Sequence, residues 1–356
     1  MIGLDKQEIW VGLDCGYLHT AACAIDKDGG IIAQEKCETT TEAVIAFLEQ
    51  FPRQAIRLIV VEAGVATHMI RDLKTADFPI KLYEVYKAQR FLAVRRQKTD
   101  TNDAIGLAEL GRVGRSIGAT VHLKSLECQN MRTRLTARQS LVRNRIRMQA
   151  MVITIVRMHG GKLKRRSAKG ALSQDVEAQL DVLRRDGVDV DADVRPLVEI
   201  AEAMDQQVRL IDKRFAELAK AHPVCRRLMT VPGVGPKTAL TFYSAIDDVT
   251  RFKDARSVGP YLGLTPSVYQ SGVKSRQGGI SKMGCVATRT HLVSAATVLL
   301  VAVKKPSALK AWGDELRARI GISKARVALA RKLAIVLIKV WQSERDFDPR
   351  LDTVSP

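Results

Sequence analysis

Four carboxylates in the first third of the chain stand where electrostatics makes them expensive. Asp14 closes the apolar run Ile9-Trp10-Val11-Gly12-Leu13, and Glu62 closes Leu58-Ile59-Val60-Val61. A carboxylate at the end of a buried strand is costly unless something cationic sits beside it. Downstream, Arg96-Gln97-Lys98-Thr99-Asp100-Thr101-Asn102-Asp103-Ala104 opens a helical segment with two acids three residues apart, which puts Asp100 and Asp103 on one helical face. Four acids from three separated elements can converge on one or two hard divalent cations, Mg2+ (or Mn2+). Such ions polarise a phosphodiester and stabilise the attacking and leaving oxygens. The expectation is phosphoryl transfer, with Asp14, Glu62, Asp100 and Asp103 as metal ligands. Taken singly, Asp100 reads equally as a helix N-cap and Asp103 as a first-turn acid that complements the helix dipole.

A second group of motifs lies near the C-terminus. Leu228-Met229-Thr230-Val231-Pro232-Gly233-Val234-Gly235-Pro236-Lys237 has the form of a helix-hairpin-helix turn. There Gly233 and Gly235 would expose backbone N–H groups to a phosphate, with Lys237 beside them. A tight turn between two packed helices explains the glycines equally well. The Walker spacing of a nucleotide-binding loop is missing. Further on, Gln270-Ser271-Gly272-Val273-Lys274 leads into Gly278-Gly279-Ile280-Ser281-Lys282-Met283-Gly284. A serine before glycine can expose its hydroxyl as a nucleophile, and Lys274, Arg276 or Lys282 can stabilise developing phosphate charge. By its chemistry alone Ser-Gly in a loop is usually only a turn, and it does not single out Ser271.

The elements needed to position these groups are legible in the hydrophobic pattern. Strands are expected over residues 9–13, 20–25 and 31–35, then a helix over 42–50. A buried strand at 57–61, a helix at 66–73, a strand at 80–85 and helices at 87–95 and 102–112 complete an α/β unit on a mixed sheet. Beyond residue 125 the strand signals stop. Residues 126–159 read as one long helix and 194–221 as another, which predicts a helical coiled-coil hairpin with a basic turn at 160–170. The last unit reads as helical with glycine-marked turns. The implied domains are 1–124, 125–222 and 223–345, with a short tail at 346–356.

Charge narrows the partner. The chain has 57 Lys plus Arg against 38 Asp plus Glu, a net charge of +19 over 356 residues, and such a field attracts polyanions. Residues 131–170 hold twelve Arg or Lys and no acid, whereas 173–205 hold ten acids against three bases. The basic run favours a phosphate-facing surface: Arg132, Arg134, Arg138, Arg143, Arg145 and Arg147 on the helix. Lys162, Lys164, Arg165 and Arg166 continue it in the turn. Opposite charge also suggests that the two segments pair, and the acidic stretch need only neutralise its neighbour. An anionic membrane is the weaker reading, because no stretch approaches the ~20 apolar residues of a span and no signal peptide precedes the first strand. Six cysteines lack any C-x-x-C pair, so neither a zinc ribbon nor a disulfide framework is indicated. Cys15 and His19 lack further ligands at metal spacing. A reducing cytoplasm is the default.

With both motif sets in view, the chain resembles transposases of the insertion-sequence 110 family, bridge-RNA-guided serine recombinases. The likeness rests on Val11-Gly12-Leu13-Asp14, Val61-Glu62-Ala63-Gly64 and Lys98-Thr99-Asp100-Thr101-Asn102-Asp103-Ala104. These look like that family's D-E-D-D domain of RuvC-like, ribonuclease-H fold. It rests equally on Pro232-Gly233-Val234-Gly235, Phe252-Lys253, Gly263-Leu264-Thr265-Pro266, Gln270-Ser271-Gly272 and Ile280-Ser281-Lys282-Met283-Gly284. The resemblance implies that Ser271 forms a phosphoserine bond to DNA, assisted by metal-bound Asp14, Glu62, Asp100 and Asp103 of a partner subunit. It also implies donor and target DNA and a noncoding bridge RNA as partners, a homodimer assembling to a tetramer, and a prokaryotic, nucleoid-associated location. Residues 165–195 match least. Two competing expectations are a metal-dependent nuclease or Holliday-junction resolvase-like enzyme without a covalent intermediate, and a nonenzymatic nucleic-acid binder.

Overall fold

The computed structural model describes residues 8–64, 66–93, 99–114, 120–163, 172–271 and 274–350. The chain divides into two compact units, 1–123 and 124–356.

The first unit is built on a mixed sheet in the order β3-β2-β1-β4-β5-β6. Its strands are β1 (Ile9–Cys15), β2 (His19–Ile25), β3 (Ile31–Glu38), β4 (Ile56–Glu62), β5 (Ile80–Tyr83) and the short β6 (Thr120–Val121). β1 pairs antiparallel with β2 and parallel with β4. Alternation along the strands feeds two cores. Ile9, Val11, Leu13, Ile59 and Val61 pack beneath α1 (Thr41–Leu48) and α2 (Thr67–Thr75), against Val44, Phe47, Met69 and Ile70. Trp10 and Val60 face the other way, toward α4 (Asp100–Val113), meeting Ala104, Ala108, Leu107 and Leu110. Each fully buried Ile, Val or Leu in these layers contributes about 1.5–3 kcal/mol. α3 (Val85–Leu92) lies between β5 and α4 in the chain.

The helix layer sits unusually close to the sheet. A Cβ on Gly12 would fall 2.0 Å from the Ala104 carbonyl oxygen and 2.4 Å from the Ala108 nitrogen, so only glycine permits this approach. Near the far end of α4, a Cβ on Gly111 would meet Val60 Cγ2 at 2.8 Å and Trp10 Cδ1 at 3.6 Å. These two contacts fix the direction of α4, which runs antiparallel to β1.

The second unit opens with α5 (Leu126–Met158), a 33-residue helix that packs along α7 (Asp191–Ala221). The expected pairing of opposite charges is present. Arg138 grips Asp212 with two hydrogen bonds of 2.7 and 2.8 Å, and Arg145 pairs with Asp205. One end of this hairpin has its own core, where Val152 and Val156 meet Val176, Leu180 and Leu183 of α6 (Leu172–Arg185) and Val194 and Val198 of α7. At the other end, α8 (Pro223–Leu228), α9 (Pro236–Ile246) and the four-residue α10 (Val258–Tyr261) join α11 (Val286–Val301), α12 (Ala308–Ile320) and α13 (Ile322–Ser343). They surround Phe242, Leu292, Leu299, Leu329 and Leu337.

The helical reading of the last unit needs one correction. Strand signals do not stop at residue 125: β7 (Pro266–Ser271) and β8 (Lys274–Ile280) form an antiparallel hairpin. The polar, glycine-rich run concealed it, because backbone pairing between two short edges supplies order that a hydrophobic pattern does not report. Among the described residues no helix is long and apolar enough to cross a membrane.

Candidate active site and nucleic-acid interface

β1 and β4 lie side by side with Leu13 opposite Val61, so the following residues, Asp14 and Glu62, stand at the same end of the sheet. Each is two positions beyond a residue on the α4 face, Gly12 and Val60, and therefore belongs to that face. Because α4 runs antiparallel to β1, its first turn, which carries Asp100 and Asp103, is directed to that same end. The turn is held by Thr99, whose Oγ1 accepts the Asn102 N–H at 3.2 Å. Thr99 takes the N-cap place, which leaves Asp100 as the first helical residue rather than the cap.

Asp14, Glu62 and Asp103 are half-buried and Asp100 is exposed. Among the described residues, no three Asp, Glu, His or Cys side chains are gathered closely enough to enclose an ion. The backbone brings the four carboxylates to one edge, and their chemistry fits a hard divalent cation such as Mg2+ or Mn2+ rather than a thiophilic metal. Burial, with Asp14 adding to it, pushes the Cys15 thiol up to about 12.

The basic helix divides its arginines between two tasks. Arg138 and Arg145 were expected to face phosphates, yet both are occupied by Asp212 and Asp205 within the hairpin. Lys237, expected at the glycine turn, also pairs with Asp212, at 3.0 Å. The physical reason is proximity: carboxylates on α7 lie within reach at no cost in counterions. Arg132, Arg134, Arg143 and Arg147 remain exposed on α5, and Lys162 is exposed after it. Lys164, Arg165 and Arg166 lie outside the described residues, as do Arg96, Gln97 and Lys98 of the acidic motif.

At the glycine turn between α8 and α9, Gly233 adopts φ +85, and a Cβ there would sit 2.5 Å from the Ala295 carbonyl oxygen on α11. Gly233 therefore serves a tight turn and a close helix contact. Gly235 is the N-cap of α9 with open space around it.

Ser271 is the last residue of β7 and pairs with Lys274, the first of β8, across the two-residue connection 272–273, which lies outside the described residues. Arg276 on β8 and Lys282 after it are exposed. The root of this hairpin is tied by a residue that sequence reasoning missed. Arg289, 8% exposed, donates from Nη1 to the carbonyls of Leu262, Met283 and Gly284 at 3.1, 3.3 and 3.1 Å. A lone arginine inside the apolar helix Val286–Val301 was the available signal. Also missed is a cleft of about 1010 Å³ beside the hairpin, where Arg256, Lys324, Arg331 and Lys332 converge around Trp312. Lys332 Nζ sits 4.5 Å from the Trp312 ring centre.

Two family models match the chain. One for DEDD transposases of the IS110 type covers residues 11–159, and one described as the Transposase IS116/IS110/IS902 family covers residues 225–312. The transposase for insertion sequence element IS1111A of Coxiella burnetii is 28% identical over 333 residues, 92% of this chain and 88% of that one. A protein of Pseudomonas aeruginosa named as a probable family 20 transposase is 25% identical over 350 residues, 95% of this chain and 98% of that one. The first model takes in all four carboxylates, and the second takes in the serine hairpin and Arg289.

Proposed function

The chain belongs to the IS116/IS110/IS902 transposase family, enzymes that cleave and rejoin DNA, and from that premise we propose how its residues divide the work. Ser271 is the nucleophile. Its hydroxyl oxygen attacks a DNA phosphorus. The P–O bond to serine forms as the P–O bond to one strand breaks, and the displaced DNA oxygen takes up a proton. The phosphoserine ester conserves the phosphodiester, so a hydroxyl on another DNA end can attack it and restore the serine with no co-reactant. Arg276 and Lys282 supply positive charge near the hairpin for the phosphate's developing charge.

Asp14, Glu62, Asp100 and Asp103 would hold Mg2+ or Mn2+, which when bound supplies Lewis-acid polarisation of phosphodiester oxygens. These residues and Ser271 act together in a homodimer that assembles to a tetramer for strand exchange. A noncoding bridge RNA pairs with donor and target DNA, and the exposed arginines of α5 neutralise backbone phosphates without reading sequence.

What supports this reading best is the register that sets Asp14 and Glu62 at one end of the sheet, with the contact of α4 against Gly12 directing the helix's first turn, and with it Asp100 and Asp103, toward that end. The test uses the full chain with Mg2+, RNA transcribed from the element's flanks and a nicked duplex carrying an element end. A detergent-resistant protein–DNA adduct is expected, lost with its products in Ser271→Ala. Cleavage by Ser271→Ala that leaves unattached phosphate ends would refute the covalent route and establish the nuclease alternative.

A further inference from the structure

The cleft of about 1010 Å³ beside the β7–β8 hairpin takes no part in the chemistry proposed above. Its volume lies at the top of the range of roughly 300–1,000 Å³ typical of ligand clefts. Much of its lining is one face of α13, where Lys324, Val327, Arg331 and Ile335 recur at helical spacing. Trp312 comes from α12 and Arg256 from the turn before α10, while Pro266, Gly279 and Ile280 bring the hairpin itself into the lining.

Two chemistries meet there. Leu264, Ile280, Val327 and Ile335 offer aliphatic surface and Trp312 an aromatic one. Every ionisable side chain in the lining is a cation, Arg256, Lys324, Arg331 or Lys332, and no carboxylate lines the cleft among the described residues. Two of these cations have fixed seats. Arg331 packs over Gly259, where an added Cβ would stand 3.1 Å from its Nε. Lys332 Nζ lies 4.5 Å from the Trp312 ring centre, an attraction that holds the ammonium beside the indole.

An occupant that satisfies this lining is flat and apolar over part of its surface and carries repeated negative charge over the rest. A nucleotide meets both demands, since its base has a π face and its flanking phosphates answer several cations at once. An acidic peptide answers the charge alone. A base stacked within a duplex shows neither face, so the nucleotide must be unpaired.

We infer that this cleft holds an unpaired nucleotide of a DNA strand, its base against Trp312 and the aliphatic surface and its phosphates on Lys324, Arg331 and Lys332. Pro266 pairs with Ile280 five residues before Ser271, so this part of the lining lies about 17 Å from the serine along β7. The inference rests on the proposed strand exchange only for the source of the nucleotide, because parting base pairs beside a break leaves nucleotides unpaired there.

The test reads binding without chemistry. The full chain carrying Ser271→Ala is titrated in EDTA with a labelled mixed-sequence DNA strand and with an abasic strand of equal length, followed by fluorescence anisotropy. This parent should bind the intact strand about tenfold more tightly than the abasic one, the worth of one stacked base. Adding Trp312→Leu should abolish that preference and leave affinity for the abasic strand unchanged. Adding Lys324→Gln should weaken both strands and lower the slope of log affinity against log salt by about 0.7, one phosphate contact on a single strand. Lys305→Gln, which removes an exposed cation outside the cleft, should change neither.

Equal affinity of the parent for the two strands overturns the inference. So does a parental preference in the Trp312→Leu chain or, should that chain fail to fold, a response to Lys324→Gln no larger than to Lys305→Gln. Displacement of the intact strand by polyglutamate as readily as by unlabelled strand of equal charge overturns it in favour of an acidic peptide. Tighter binding of an RNA strand of the same sequence overturns it in favour of RNA. Neither metal nor the serine hydroxyl takes part, so failure of the covalent route leaves these outcomes untouched.

Discussion

Gly12→Ala probes the contact on which the carboxylate edge depends. The added Cβ would stand 2.0 Å from the Ala104 carbonyl oxygen, a backbone atom, and contact becomes ordinary only at 3.4 Å. α4 must therefore withdraw by about 1.4 Å at its N-terminal half, carrying Asp100 and Asp103 away from Asp14 and Glu62. Overpacking of this kind costs about 1–3 kcal/mol of stability. A displacement of roughly 1 Å at a reacting centre costs about a hundredfold in rate. Gly111→Ala is the matched control, because its Cβ would meet a valine methyl at 2.8 Å at the end of α4 remote from the acids. Strand cleavage with Mg2+ and chemical denaturation are measured for both variants. The expected pattern is comparable destabilisation but a hundredfold loss of cleavage for Gly12→Ala alone. Parental cleavage by a folded Gly12→Ala protein would refute the claim that helix position sets the site.

Two further outcomes follow from side chains inside the second unit. Burial alone would raise the Asp212 carboxyl, but hydrogen bonds from Arg138 and Lys237 hold it below the ordinary carboxylate range. Its contribution is then fully present above pH ~3.9 and lost as pH falls through the lower folded value; Asp212→Asn should lower stability at pH 7 by about 2 kcal/mol and flatten the acid limb of the denaturation curve. Arg289→Met leaves three carbonyls without their shared donor; hydrogen exchange should rise selectively across 262–284, while Arg289→Lys restores part of the protection, and unchanged exchange in the methionine variant would contradict the tie.

The first unit was largely legible because its signals are local. The run from Ile9 to Leu13 and the run from Leu58 to Val61 are each followed by an acid, and the start of α4 is legible to within one residue, the sequence offering Asp100 as the cap where Thr99 takes that place. What could not be read was the partner of each residue across space. Arg138 and Arg145 carry the same local signature as Arg134 and Arg143, and only acids 74 and 60 positions later separate the two groups. Gly233 likewise answers to Ala295, in a helix the local turn motif does not mention. The β7–β8 hairpin had one usable cue, a glycine opening a two-residue connection. The run from Val268 to Gln277 is too polar for periodicity to confirm it.

Arg289 reaches Leu262 on the chain entering the serine finger and Met283 and Gly284 on the chain leaving it. Both legs are thus fastened to a single bolt. Parting the legs would break bonds to that shared donor, so under the proposed chemistry an approach of Ser271 to a strand would draw both legs along together.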